Sequence, residues 1–384
     1  MQSNYARFLR RPEQSFFLLG LRGVGKSTWA RGALPDATWL DLLDQRLYQD
    51  LLADPSLFAQ SIQHLSPGSW VVVDEVQRLP ALLNEVHRLI EARRLNFGLL
   101  GSSARKLRAA GVNLLAGRAL LRTMFPLTAS ELGDDFELER VLRHGSLPLV
   151  WTSPRPREVL EAWVLLYLQE EIRAEAAARN LPGFARFLPV AALMNGQAIN
   201  TSGIARDAGV ARTTVQGYLG ILEDTLLVHR LPAYDSRLRV RERRAPKLYW
   251  VDPGIVRAVK RQFGEPAAEE RGALLESWVL TTLRAHAWET DLYDSLFFWA
   301  SHQRKSEVDF LLERAGELVG LEVKATDRYH TGLLRGLRSL DRLPGVVRRV
   351  LVYTGERQFR SADGIEIWPA RHFAERAAAG QLWP

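Results

Sequence analysis

The stretch Gly20-Leu21-Arg22-Gly23-Val24-Gly25-Lys26-Ser27-Thr28 constrains this chain more than any other. It fits the pattern G-x4-G-K-[ST], in which backbone N–H groups of a glycine-rich turn close around phosphate oxygens and the following helix offers its positive N-terminus. Such a turn needs a buried strand before it and a helix after it. The apolar run Phe16-Phe17-Leu18-Leu19 supplies the strand, and a helix is predicted to open at Lys26. The expectation is an α/β P-loop NTPase fold that binds ATP with Mg2+. Gly20, Gly23, Gly25 and Thr28 would line the phosphate cradle, Lys26 would reach the β- and γ-phosphates, and Ser27 would ligate Mg2+.

Two further strands fit this plan. Trp70–Val73 is a continuous apolar run, as a parallel strand buried on both faces requires, and it ends in Asp74-Glu75. Ligands of open α/β sheets bind at the carboxyl ends of strands, so Asp74 is placed to hold Mg2+ through water and Glu75 to polarise the attacking water. A third strand ends in Ser102-Ser103, where a hydroxyl can sense the γ-phosphate or cap a helix. Beyond it stand Arg118 and Arg122. Arg118 is a candidate arginine finger across a subunit interface; a surface arginine would look the same in sequence.

Charge and composition narrow the partners. The 384 residues carry 51 Lys and Arg against 44 Asp and Glu, a formal charge of +7, with a pI near 9.8. That balance suits a polyanion, and nucleic acid foremost; an arginine-rich proteome would give the same number. There is no cysteine, which excludes disulfides and thiolate zinc sites and fits a reducing, cytoplasmic setting. No apolar run reaches the roughly 18 residues of a membrane span, so no membrane partner is expected.

Residues 134–190 read as helical. After them, Thr201-Ser202 are predicted to cap a short helix, Gly209 to make a turn, and Arg212–Asp224 to form a second helix, a helix-turn-helix layout. The second helix would present Arg212, Thr213, Thr214 and Gln216 for base contacts. A strand through "LLVHRLPAY" suggests a winged variant, and the basic run that follows holds Arg239, Arg241, Arg243 and Lys247, suited to DNA phosphates. A helix-turn-helix that packs on protein, with solvated arginines, is the other reading.

Two alternating segments, Ser306–Glu313 and Leu318–Lys324, predict a hairpin turning at Ala315-Gly316, with Val308, Phe310 and Leu312 on one face. That turn sets Asp309 opposite Glu322, about 5 Å apart, with Lys324 on the face of Glu322. Two such carboxylates can share Mg2+ or Mn2+ through oxygen ligands, and Lys324 can stabilise developing charge on a phosphodiester. Glu276, on an upstream helix, would reach the same metal. A Lys324–Asp309 salt bridge accounts for the same residues without any metal.

The ordered set "GLRGVGKST", "VVVDEVQRLP", "LLGSSARKL", "LLAGRALL", "FPLTASEL", "YLQEEI", "KLYWVDPGI", "GALLESWVL", "SEVDFLLE" and "GLEVKA" resembles the prokaryotic AAA-type ATPases that carry the C-terminal domain of unknown function DUF4143. The resemblance spans nearly the whole chain. It implies an AAA-type ATPase domain (1–132), a helical connector (133–190), a winged helix-turn-helix (191–262) and an α/β restriction-endonuclease-like, PD-(D/E)xK domain (263–384). By the same resemblance Gly20, Gly25, Lys26, Ser27, Asp74, Glu75 and Ser102 form the ATP site, with Arg118 as finger, and Glu276, Asp309, Glu322 and Lys324 form the nuclease-like site. Val308 stands where that fold often has proline. The expected activity is ATP hydrolysis coupled to DNA processing by a homo-oligomer, possible as a ring; the alternative is a nucleotide-controlled DNA-binding regulator or defence switch that does not cut.

Overall fold

The computed structural model describes residues 5–103, 115–167, 181–234, 245–301 and 306–384. Contacts gather the chain into two units: Leu9–Phe125 with Gly220–Leu227, and Met1–Phe8, Pro126–Leu219 and Val228–Pro384. The expected segments 133–190 and 263–384 lie within the second unit, as does most of 191–262.

The first unit is built on a five-stranded sheet of β1 (Phe16–Gly20), β2 (Thr38–Asp41), β3 (Trp70–Asp74), β4 (Asn96–Gly101) and β5 (Leu120–Met124), in the order β2-β3-β4-β1-β5. Every neighbouring pair is parallel. The three inner strands β3, β4 and β1 are buried along nearly their whole length and are mostly apolar: Phe17, Val71, Val73, Phe97 and Leu99 join one core with Val86 and Leu89 of the helix Leu82–Arg93. Parallel strands present their carboxyl ends at one edge, which brings Gly20, Asp74 and the residue after Gly101 to the same rim.

The second unit holds two sheets. The smaller comprises β6 (Gln197–Ala198), β7 (Val228–Leu231) and β8 (Lys247–Trp250), with β8 in the middle and antiparallel to both neighbours. Between β6 and β7 stand the helices Thr201–Ala208 and Arg212–Asp224. The first is capped by Asn200, whose side chain accepts from the Gly203 N–H, so the cap lies one residue before the Thr201-Ser202 pair read from sequence. Gly209 turns the chain at φ 63°, a left-handed conformation glycine tolerates.

The larger sheet runs β13-β14-β12-β11-β10-β9, from β9 (Ser295–Ala300), β10 (Glu307–Arg314), β11 (Glu317–Lys324), β12 (Val346–Tyr353), β13 (Phe359–Arg360) and β14 (Glu366–Pro369). β10 and β11 form the expected hairpin. Ala315 and Gly316, at φ 51° and 84°, make a two-residue turn, and the pairs Phe310–Leu321 and Arg314–Glu317 hold one register. β12 and β14 then add in parallel. The facing expectation for β10 fails at one point. Its pairing with β9 slips between Val308 and Leu311, so Asp309 and Phe310 lie in a β-bulge. The extra residue turns Val308 into the core that holds Leu311, Leu318, Leu337 and Leu351, away from the strict alternation with Phe310 and Leu312.

A glycine contact ties this unit together near its start. Asp252 accepts from the N–H groups of Ser146 (2.8 Å) and Ile255 (3.0 Å), which seats the helix Pro253–Val259 against residues 144–146. A Cβ on Gly254 would lie 2.0 Å from the backbone oxygen of His144, with no flexible side chain to yield. Gly254→Ala is expected to lower unfolding stability by about 2–3 kcal/mol, read as a shift in the urea midpoint at unchanged slope.

Candidate functional site

The phosphate loop has the shape its sequence requires. A Cβ at Gly20 would sit 2.7 Å from the Met124 oxygen on the neighbouring strand, and Gly23 and Gly25 take φ of 79° and 97°. Gly25 is the N-cap of the helix Lys26–Ala33. Lys26 is buried, and its Nζ donates to the carbonyls of Gly20 (2.8 Å) and Leu21 (3.1 Å). Ser27 is half-buried and Thr28 exposed. Asp74 is buried at the tip of β3, where its Oδ1 accepts from the Glu75 N–H at 3.0 Å.

One residue here escaped the sequence reading. The buried Gln77 donates through Nε2 to Glu75 Oε2 (2.5 Å) and to Ser102 Oγ (2.9 Å). It thus joins the two polar positions expected to face the γ-phosphate. Gly101 makes room for it, since a Cβ there would meet Gln77 Oε1 at 2.7 Å. Arg118 is ion-paired with Glu91.

The hairpin brings Asp309, Glu322 and Lys324 together. Asp309 and Glu322 are each only 6% exposed. In the bulge, Asp309 Oδ2 accepts from the Val323 N–H at 2.9 Å, so the side chain takes a donor of the neighbouring strand. Lys324 Nζ lies 2.6 Å from Glu322 Oε1 and 3.8 Å from Asp309 Oδ2. Glu322 Oε2 is buried, with no hydrogen-bond partner among the described residues. Gly336 gives it space: a Cβ there would stand 2.9 Å from Glu322 Oε2 and 2.3 Å from the Glu307 oxygen.

Glu276 enters this group through charge and a different hydrogen bond. Its Oε2 accepts from the Tyr249 hydroxyl at 2.7 Å. Burial, and then the negative Asp309, push the carboxyls of Glu276 and Glu322 well above the ordinary carboxylate range. Burial alone would lower the Lys324 ammonium, but Asp309 and Glu322 outweigh it and hold that group above the ordinary lysine range. Among the described residues, no three His, Cys, Asp or Glu side chains are gathered as a ready metal cluster. The donor set that fits a divalent cation is the pair Asp309 and Glu322, marked by the Glu322 oxygen that has no partner among the described residues.

Lys247 corrects the sequence reading. Expected in the basic run that lies along phosphates, it is buried instead, paired with Glu307 and 3.6 Å from Asp309 Oδ1. It stands on β8, two residues from Tyr249, so alternation turns both side chains to one face, toward the carboxylates. Arg239, Arg241 and Arg243 lie outside the described residues. On the helix Arg212–Asp224, Arg212, Thr213 and Gln216 are exposed and Thr214 is half-buried, while Val215, Tyr218 and Leu219 face inward. Arg212 Nε donates to Thr201 Oγ1 at 3.3 Å. No helix among the described residues is long and apolar enough to cross a membrane.

Comparison with known proteins adds three family matches: an AAA domain over residues 12–133, a domain of unknown function (DUF8612) over 135–265, and a domain of unknown function (DUF4143) over 271–373. Uncharacterized proteins of Mycobacterium tuberculosis and Mycobacterium bovis are each 28% identical over 377 residues, covering 95% of this chain and 82% of theirs. Among solved structures, a Vibrio cholerae protein is similar over 95% of this chain and 99% of its own, at 13% identity and a TM-score of 0.24. The Orc1 protein of Aeropyrum pernix, solved in complex with DNA, is similar over 65% of this chain and 87% of its own, at 14% identity and a TM-score of 0.28. Likeness at this level bears on neither chemistry nor partner. The AAA-domain match over residues 12–133 agrees with the five-stranded parallel sheet and its phosphate loop, and the match to the domain of unknown function DUF4143 over residues 271–373 takes in the β10–β11 hairpin.

Proposed function

We propose that this chain binds and hydrolyses ATP and uses it in DNA processing, with a metal-dependent phosphodiester-cleaving site on the β10–β11 hairpin. The observation that carries the cleavage reading is the buried pair Asp309 and Glu322 beside Lys324, with one Glu322 oxygen that has no hydrogen-bond partner among the described residues. Perturbed, buried ionisable groups packed together are costly in a fold and mark candidate functional sites.

At the nucleotide site, Lys26 would exchange the carbonyls of Gly20 and Leu21 for β- and γ-phosphate oxygens. Ser27 and Asp74 would hold Mg2+, directly and through water. Glu75 would orient and deprotonate the attacking water, and Gln77 would keep it in reach of Ser102. A homo-oligomer in which Arg118 completes a neighbour's site belongs to this reading, and Arg118 would then leave Glu91. At the hairpin, Asp309 and Glu322 would hold Mg2+ or Mn2+, which supplies Lewis-acid charge for the phosphate and acidifies water. Lys324 would donate to a non-bridging phosphate oxygen as negative charge builds there. The helix Arg212–Asp224 would contact DNA through Arg212, Thr213, Thr214 and Gln216, with Arg239, Arg241 and Arg243 on phosphates.

A second reading is a nucleotide-controlled DNA-binding switch that does not cut. Two ammonium groups already neutralise Asp309 and Glu322, and among the described residues no third ligand joins them, which favours it.

Duplex, branched and single-stranded DNA incubated with Mn2+ or Mg2+, with and without ATP, separate the two. Cleavage by wild type that falls below detection in Asp309→Ala supports the site; no cleavage by wild type, with ATP turnover intact, leaves the switch. Lys26→Ala is expected to lower ATP turnover at least about a hundredfold in a phosphate-release assay. The buried carboxyls also set a pH signature in chelator. Their folded values lie above the ordinary 4.5, so the stability they contribute is full below that pH and is lost as pH rises above it. Glu322→Gln should flatten the fall in melting temperature between about pH 5 and 9.

A further inference from the structure

The carboxylate cluster holds a cation for which the reading above has no task. Lys247 comes from β8, in the three-stranded sheet, and not from the hairpin. It is 6% exposed, and its Nζ lies 5.4 Å from the centroid of the Phe298 ring. The charged groups that act on it are Asp309, Glu276 and Glu307.

The two oxygens of Asp309 are used differently. Oδ2 takes the Val323 N–H and faces Lys324. Oδ1 is the oxygen toward which Lys247 points, at 3.6 Å. A divalent cation shared by Asp309 and Glu322 would bring like charge within a few ångströms of both ammonium groups, which raises the free energy of any arrangement that keeps all three in place. Lys324 can yield, since its side chain is 34% exposed. Lys247 is enclosed, and its retreat from Asp309 is toward Glu307, whose side chain is 48% exposed.

We propose that Lys247 is the resident counter-ion of Asp309 and sets the site's affinity for a divalent cation, which binds in competition with the Lys247 ammonium. This inference rests on the cleavage-site reading. Lys247 is a positioning residue on this account: it acts through Asp309, and Glu307 holds its charge when the metal is bound.

The test is a calorimetric Mn2+ titration of the full chain, nucleotide-free, in four forms. Lys247→Met is expected to tighten Mn2+ binding about tenfold or more, because Asp309 loses its competitor. Glu307→Gln is expected to weaken it several-fold, because Lys247 is then left wholly to Asp309. Asp309→Ala should abolish the Mn2+ heat. Equal affinity in wild type, Lys247→Met and Glu307→Gln, with Asp309→Ala inactive in binding, overturns the competition and leaves the metal site standing. No Mn2+ bound by either wild type or Lys247→Met, or binding indifferent to Asp309→Ala, overturns the cleavage-site reading itself. If melting curves show that Lys247→Met is unfolded, Glu307→Gln at its half-exposed position decides: unchanged or tighter Mn2+ binding rejects the proposal.

Discussion

A carboxylate taken out of water must be answered by positive charge or by N–H donors, and the second unit is arranged around that demand. Asp309 is answered three ways: by the Val323 N–H, by Lys324, and by Lys247. Each answer comes from a different strand relation. The N–H is available because the bulge removes Asp309 from the regular ladder. Lys324 is two residues beyond Glu322 on the same side of β11. Lys247 arrives from another sheet. Buried ion pairs of this kind seldom add net stability over apolar packing, so this cluster is not what holds the sheet together.

The first unit solves a different problem with backbone. Its rim combines a glycine-rich backbone turn with the buried side chains of Lys26 and Asp74. Close approach at Gly20 and left-handed turns at Gly23 and Gly25 set the path of the loop backbone. Lys26 meanwhile satisfies its ammonium on two loop carbonyls, and Gln77 links Glu75 with Ser102. Side chains that would meet the terminal phosphate are therefore connected before any ligand arrives.

The parts legible from sequence were those set by local rules. A phosphate loop carries its own strand and helix, and β1 and the helix from Lys26 lie where the pattern put them. The hairpin register followed from the turn, because a two-residue loop at Ala315-Gly316 fixes every later pair. What stayed hidden depends on partners far away in the chain. The bulge at Asp309 exists only in the pairing with β9, so alternation alone misplaced Val308. Lys247 looked like one more cation of a basic run; only tertiary packing makes it a buried ion. Gln77 and Gly336 carry no local signature at all, since one acts through a hydrogen-bond pair and the other through room left for a carboxylate.

The position of β8 has a consequence for where the C-terminal portion ends. Its backbone is laddered on both sides, with Lys247 opposite Leu231 on one edge and Ala198 on the other. The strand is thus anchored by residues 197–250, while the side chains it carries belong electrically to residues 276–324. The family boundary between 265 and 271 therefore does not coincide with a boundary in charge. A fragment severed there would keep Asp309, Glu322, Glu276 and Lys324 but lose the Lys247 ammonium and the Tyr249 hydroxyl, so Asp309 Oδ1 and Glu276 Oε2 would each lose a partner. The segments matched by the two sequence families thus share one set of charge contacts, Tyr249 with Glu276 and Lys247 with Glu307 and Asp309.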